Sequence, residues 1–100
     1  MVKTKKVIWS YNAQDSLKGY YDHIKQDSVS AAKKVKSEII RASQALSQFP
    51  EKHQLDEYYP NNSGNIRRFF RWIYRIIYQV NEDTIDILNV LHSSQEPNQK

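Results

Sequence analysis

Cysteine is absent from this chain. Its absence removes disulfide frameworks, thiolate metal sites and cysteine nucleophiles together, and it fits a reducing compartment. Glycine occurs only twice, which leaves no material for a glycine-rich phosphate loop. Metal-binding boxes and nucleophile elbows are missing as well. No apolar run approaches the roughly 20 residues that a bilayer-spanning helix needs, so no membrane partner is expected. The basic start, Met1-Val2-Lys3-Thr4-Lys5-Lys6, is followed by no apolar core of the signal-peptide kind, and the expected location is cytoplasmic. What remains is an ordinary globular composition, 39% hydrophobic and 26% charged over 100 residues. That length predicts a single domain over 1–100 with one modest core, and the polar stretch 93–100 as a frayed tail.

Acidic residues are missing from one stretch in particular. Between Asn61 and Val80 there are four arginines (Arg67, Arg68, Arg71 and Arg75) and no acid, whereas elsewhere 11 basic residues face 11 acids. The whole net charge of +4 therefore sits in that window. Arginine presents a planar, permanently charged fork suited to phosphates and carboxylates, which makes these four the candidate nucleic-acid or phosphate-binding residues. Salt bridges inside the domain are the plainer use for them. The local lack of acids argues against that use for all four.

Periodicity gives the elements. Lys6-Val7-Ile8-Trp9 is short, branched and aromatic, and reads as a strand. Ser10 and Asn12 offer caps for a helix from about Asn12 to Gln26, in which Ala13, Leu17, Tyr20, Tyr21 and Ile24 recur at helical spacing. Asp27-Ser28 breaks the pattern. From Ser30 to Gln48 the apolar set Ala31, Ala32, Val35, Ile39, Ala42, Leu46 and Phe49 predicts a second amphipathic helix with a lysine-rich wet side, ended by Pro50. A connection of only a few residues makes the two an antiparallel hairpin. Residues 51–65 have no period and read as a loop. Ile66–Phe70, Ile73–Val80 and Thr84–Leu91 are strand-like, with breaks at Arg71-Trp72 and at 81–83 that predict two β-hairpins. The expected fold is α+β, in the order βααβββ, with the helical hairpin packed on one face of a small antiparallel sheet.

Strand parity then distributes the polar groups. A two-residue turn at Glu82-Asp83 sets Val80 opposite Ile85, Tyr78 opposite Ile87 and Tyr74 opposite Leu91. That face is apolar apart from Asn89, and it is the natural seat for the helices. The other face pairs Gln79 with Asp86, Ile77 with Leu88, Arg75 with Val90 and Ile73 with His92. A turn at Arg71-Trp72 adds Arg68 beside Arg75, so Arg68, Arg75 and His92 are expected on the side of the sheet away from the helices. Adjacent like charges repel, and an anion, a nucleic acid or an acidic partner is the expected remedy.

Several runs resemble the RelE/ParE toxin superfamily of type II toxin–antitoxin systems. They are Ile66-Arg67-Arg68, Tyr74-Arg75-Ile76-Ile77-Tyr78-Gln79-Val80 and Ile87-Leu88-Asn89-Val90-Leu91-His92. Asp27-Ser28-Val29-Ser30-Ala31-Ala32 and Leu46-Ser47-Gln48-Phe49-Pro50 resemble that family's helical hairpin. The likeness runs from Lys6 to Pro97 and implies the same βααβββ fold, no cofactor, no metal, and a cognate antitoxin as partner. The antitoxin is expected to be acidic and to come from the adjacent gene, since an arginine-rich face needs neutralising charge.

The resemblance implies one of two activities. RelE-like members cut messenger RNA on the ribosome without metal. ParE-like members poison DNA gyrase. In the first case the ribose 2′-OH attacks the neighbouring phosphate, which requires a base, an acid and cations for the developing charge. Arg75 matches the phosphate-holding arginine of the Tyr-Arg-x-x-Tyr strand, Arg68 or Arg67 matches the preceding basic position, and His92 is the acid or base. Arg75, Arg68 and His92 are thus the catalytic candidates. Yet His92 is followed by Ser93, Ser94, Gln95, Glu96 and Pro97, with no base until Lys100, where RelE-like nucleases carry further basic or tyrosine residues. That ending looks more like ParE, and gyrase inhibition is the leading expectation. A ribosome-dependent endoribonuclease and a non-toxic nucleic-acid or antitoxin-binding module are the alternatives. His23 and His53 read as surface residues without ligand spacing, and Tyr20, Tyr21, Tyr58 and Tyr59 as packing aromatics.

Overall fold

A computed structural model describes residues 4–48, 50, 53–56, 62 and 64–93. The chain forms β1 (Lys6–Trp9), α1 (Tyr11–Lys25), α2 (Val29–Gln44) with a short 3-10 turn at Ala45–Ser47, then β2 (Ile66–Arg71), β3 (Tyr74–Val80) and β4 (Thr84–His92). Residues Phe49, Tyr58, Tyr59 and 94–100, on which some of the expectations rest, lie outside the described residues. No described helix is long and apolar enough to cross a membrane.

Both helices begin where a serine can cap them. The Ser10 hydroxyl accepts from the Ala13 amide at 3.0 Å, and that of Ser28 from Ala31 at 3.1 Å. Each such cap satisfies one of the amides a helix start leaves without a partner. α1 buries Ala13 and Leu17, α2 buries Ala32 and Ile39, and the 3-10 turn adds Leu46. Against them the sheet places Phe69, Tyr74, Ile76, Tyr78, Ile85, Ile87 and Val90. Burying an isoleucine or leucine contributes about 1.5–3 kcal/mol each, so this one layer interface holds the domain together.

The α+β arrangement is as expected, but the sheet is mixed. Its strand order is β1-β4-β3-β2, with β1 parallel to β4 and the other pairs antiparallel. The cause is the route of the chain. After β1 it passes through the helical hairpin and then β2 and β3, and β4 returns in the same direction as β1. Lys5 clips this edge by donating its ammonium to the carbonyls of Asn81 and Glu82 at 2.6 and 2.7 Å.

Two registers differ from expectation. The β2–β3 turn falls at Trp72-Ile73, one residue later, so Phe70 rather than Arg68 faces Arg75, and Arg68 faces Ile77. Between β3 and β4, Val80–Ile85, Gln79–Asp86 and Tyr78–Ile87 pair as the turn at Glu82-Asp83 requires. A bulge then leaves Leu88 over, and beyond it Ile77 faces Asn89, Ile76 faces Val90, Arg75 faces Leu91 and Tyr74 faces His92. The bulge has visible anchors on the helical layer. Ser10 donates its hydroxyl to the Leu88 carbonyl at 2.9 Å. The Asn89 side-chain oxygen accepts from the Ser16 hydroxyl and from the Val90 amide, each at 2.9 Å. One extra residue in a strand exchanges the faces of everything beyond it.

Candidate functional site

Alternation along β2 and β3 separates the four arginines into two sets. Phe69, Tyr74, Ile76 and Tyr78 belong to the buried core. Arg67 and Arg71, opposite Tyr78 and Tyr74, therefore start from the helix side of the sheet, and Arg68 and Arg75 from the other side. Arg68 and Arg75 do share a face, as expected, though diagonally and not side by side.

Three of these arginines turn out to hold one short segment of the chain. Residues 54–56 lie antiparallel beside the outer edge of β2. The Asp56 amide donates to the Ile66 carbonyl at 2.9 Å, the Arg68 amide donates to the Gln54 carbonyl at 3.0 Å, and Leu55 bridges Arg67. Along this segment Arg67 donates to the His53 carbonyl at 2.6 Å, Arg68 donates to Gln54 Oε1 at 3.2 Å, and Arg75 forms an ion pair with Asp56. Asn62 fastens the return: its amide nitrogen donates to the carbonyls of Asp56 and Ile66, and its oxygen accepts from the Gly64 amide at 2.9 Å. Gly64 has φ 108°, a backbone conformation that glycine takes without a steric penalty.

The Arg75–Asp56 pair changes the reading of the site. Both residues are 2% exposed. A guanidinium with nearly all its surface withdrawn and a carboxylate on it is a structural counter-ion. The expectation that the acid-poor window leaves its arginines for an external anion is corrected for Arg75. The neutralising acid comes from outside the window, nineteen positions earlier in the chain, and the fold brings it in as an added edge segment. Arg71 is the exception in kind. It is exposed at the end of β2, with its guanidinium 5.9 Å from the Phe69 ring centre, while that of Arg68 lies 5.1 Å from Phe70. Such cation–π contacts contribute about 0.5–1 kcal/mol at exposed sites.

His92 goes to the other side of the sheet. The bulge sets it opposite Tyr74, so it faces the helices, away from Arg75 and Arg68, and the expected grouping of the three does not form. Its amide donates to the Tyr20 hydroxyl at 2.8 Å. Its ring stands at 87° to that of Tyr74 with centres 5.6 Å apart, and Tyr20 and Tyr74 are 5.0 Å apart. These rings and Ser16, His23, Ile73 and Leu91 line a shallow hollow between α1 and the ends of β3 and β4. Burial, with the neighbouring Tyr20 adding to it, raises the Tyr74 phenol above its ordinary pKa.

The remaining aromatic and histidine expectations divide. Tyr20 packs, as expected. Tyr21 lies under the ammonium groups of Lys36 and Lys25, at 5.3 and 5.7 Å. His23 is exposed. His53 is half-buried rather than a surface residue, with its ring 5.1 Å from Phe69 and 6.3 Å from Tyr78. No cluster of metal-ligating side chains occurs among the described residues. Asp56 carried no signal in sequence beyond being an acid in an aperiodic stretch.

Comparison with known proteins agrees with this fold. In structure the chain is similar to a protein of the chromosomal ParDE toxin–antitoxin system from P. aeruginosa, with a TM-score of 0.70 and 20% identity, over 90% of this chain and 97% of that one. It is also similar to a chain of the RelBE2 toxin–antitoxin complex from Mycobacterium tuberculosis, with a TM-score of 0.64 and 19% identity, over 92% and 93%. No curated protein matches by sequence. The family model described as ParE toxin of type II toxin-antitoxin system, parDE, matches residues 7–97. The chain belongs to the ParE toxin family of type II toxin–antitoxin systems.

Proposed function

We propose that this toxin acts by binding and not by cutting RNA, with DNA gyrase as its target and an acidic antitoxin from the adjacent gene as its neutraliser. The observation that carries the reading is the sealing of Arg75. A nuclease that drives a 2′-OH onto a phosphate needs a cation at the phosphate and an acid or base beside it. Here the arginine at the phosphate-holding position spends its charge on Asp56 in a buried pair. The imidazole at the end of β4, His92, sits across the sheet with Tyr20 and Tyr74. The separation of the two groups supports binding over phosphate chemistry. Gyrase is the target of ParE-like members, which the ending of β4 resembles. The antitoxin reading is supported by two structural relatives that come from toxin–antitoxin systems.

Purified gyrase, relaxed plasmid and ATP with the added protein test this. Supercoiling is expected to fall as toxin is titrated in, and the antitoxin is expected to restore it. Undiminished supercoiling at large molar excess counts against gyrase. Discrete cleavage of ribosome-bound message would move the assignment to the endoribonuclease.

A further inference from the structure

We infer that the tip of the β2–β3 hairpin, Phe70-Arg71-Trp72-Ile73, is the surface that engages the toxin's cellular target, a folded protein offering an apolar recess rimmed by carboxylates. The inference rests on the toxin reading but not on gyrase being the target.

Two penalties converge on Trp72. Its φ is 54°, the left-handed region in which a side chain other than glycine crowds its own backbone, at about 1–2 kcal/mol. Glycine or asparagine would occupy this turn position with less strain. The indole is also 54% exposed, so the fold gains little from it. A bulky residue kept at a strained position, with its apolar surface in water, points to a use outside the domain.

Its neighbours share the property. Phe70 is 46% and Ile73 48% exposed, directly flanking Arg71 and Trp72 in the chain. Among the described residues, the other exposed large apolar side chains are scattered, with Ile8 on β1, Tyr11 on α1, Val29 on α2 and Leu55 in the segment beside β2. Large apolar residues gathered at one exposed hairpin end mark an interaction surface more than singly scattered ones do. Tryptophan, phenylalanine and arginine together are the composition of an interface hot spot. The patch is presented on a fixed support, since the Ile73 carbonyl accepts from the Ser93 amide at 2.8 Å and Arg71 pairs with Tyr74 in the ladder. A support already in place lowers the ordering cost of binding.

Charge and shape select the partner. Arg71 is exposed within the patch, and Arg68 lies over Phe70. The complementary surface is acidic. A two-residue hairpin end is convex and needs a preformed recess, which a folded protein has. An extended or helical segment would instead lie along a sheet edge or in a groove. Single-stranded nucleic acid would stack on the two rings, but it would leave Ile73 without a counterpart.

The full-length variants Trp72→Gly and Trp72→Asn test the inference, with Arg71→Glu as a charge reversal. Readouts are growth arrest on induction, thermal melting, and calorimetric binding to the antitoxin. Melting is expected to be unchanged or raised for Trp72→Gly, because the strain is relieved. The toxin dose needed for arrest should rise at least about tenfold, with antitoxin affinity unchanged. Arrest as strong as that of the parent chain overturns the inference. So does a loss of antitoxin affinity in step with toxicity, which gives the patch to the antitoxin. Oligonucleotide binding at physiological salt that Trp72→Gly abolishes gives it to nucleic acid. If the parent chain arrests growth but leaves gyrase untouched, only the gyrase assignment fails and the variants still decide the tip. A parent chain that causes no arrest overturns both.

Discussion

Arg75 and Asp56 neutralise each other where bulk water does not reach, with 2% and 1% of their side chains exposed. Attraction between such groups largely offsets the cost of taking both out of water, so the pair adds little net stability. Removing one partner is another matter. Asp56→Ala strands a buried guanidinium, and a loss of about 3–5 kcal/mol is expected. In a domain of this size that lowers the melting temperature by well over about 10 °C. Urea denaturation followed by circular dichroism measures it. A loss under about 1 kcal/mol would mean that Arg75 reaches solvent when Asp56 is gone, and is not sealed by the surrounding chain.

The same pair separates the two activities of the superfamily. Replacing both charges by apolar residues of similar volume, Arg75→Met with Asp56→Leu, removes the charge without stranding its partner, an exchange that is often neutral or stabilising. A binding toxin whose Arg75 is structural keeps its growth arrest in this double variant. An endoribonuclease that uses Arg75 on the phosphate loses it. Arrest after induction, read together with the melting temperature of the purified variant, gives the answer without knowledge of the target.

How far the sequence carried this picture depends on the range of each force. Local signals were legible: Ser10 and Ser28 cap helices within a residue or two of the expected starts, and the turn at Glu82-Asp83 fixed the pairing from Val80 to Tyr78. Long-range ones were not. The β1–β4 pairing depends on the route of the chain through the whole domain. Asp56 reaches Arg75 only because residues 54–56 add to the edge of β2, and that stretch has no periodicity to announce it. The bulge at Leu88 is the most consequential case, since a single unpaired residue moved His92 away from the arginines. Its one trace in the sequence was Asn89, the polar exception on an otherwise apolar face, which serves the bulge as acceptor for Ser16 and Val90.

That assignment of Asn89 is itself testable. Asn89→Ala deprives two donors of their acceptor, the Ser16 hydroxyl and the Val90 amide, and a loss of about 1–2 kcal/mol is expected. Ser16→Ala removes only one of the two bonds and should cost less. The double variant should be less destabilised than the sum, because the Ser16–Asn89 bond can be lost only once. Strict additivity in a urea-denaturation cycle would show that the Ser16 and Asn89 side chains do not interact.

Tyr74 gives the fold a dependence on alkaline pH. Burial, with Tyr20 beside it, raises its phenol above the ordinary pKa of 10.0. Below that value Tyr74 is protonated in both the folded and the unfolded chain, and its contribution to stability is fully present. As pH rises past 10 the unfolded chain gives up the proton first. The unfolded state then binds fewer protons than the folded one, and stability falls with increasing pH until the folded-state pKa is passed. Tyr74→Phe removes this proton while keeping the ring that packs against Tyr20 and His92. The variant should therefore lose less stability than the parent chain between neutral pH and the alkaline side of 10, when both are unfolded in urea at matched ionic strength. Parallel pH profiles for the two proteins would place the Tyr74 hydroxyl in contact with water, and the hollow formed by Tyr20, Tyr74 and His92 would then be open to solvent at its base.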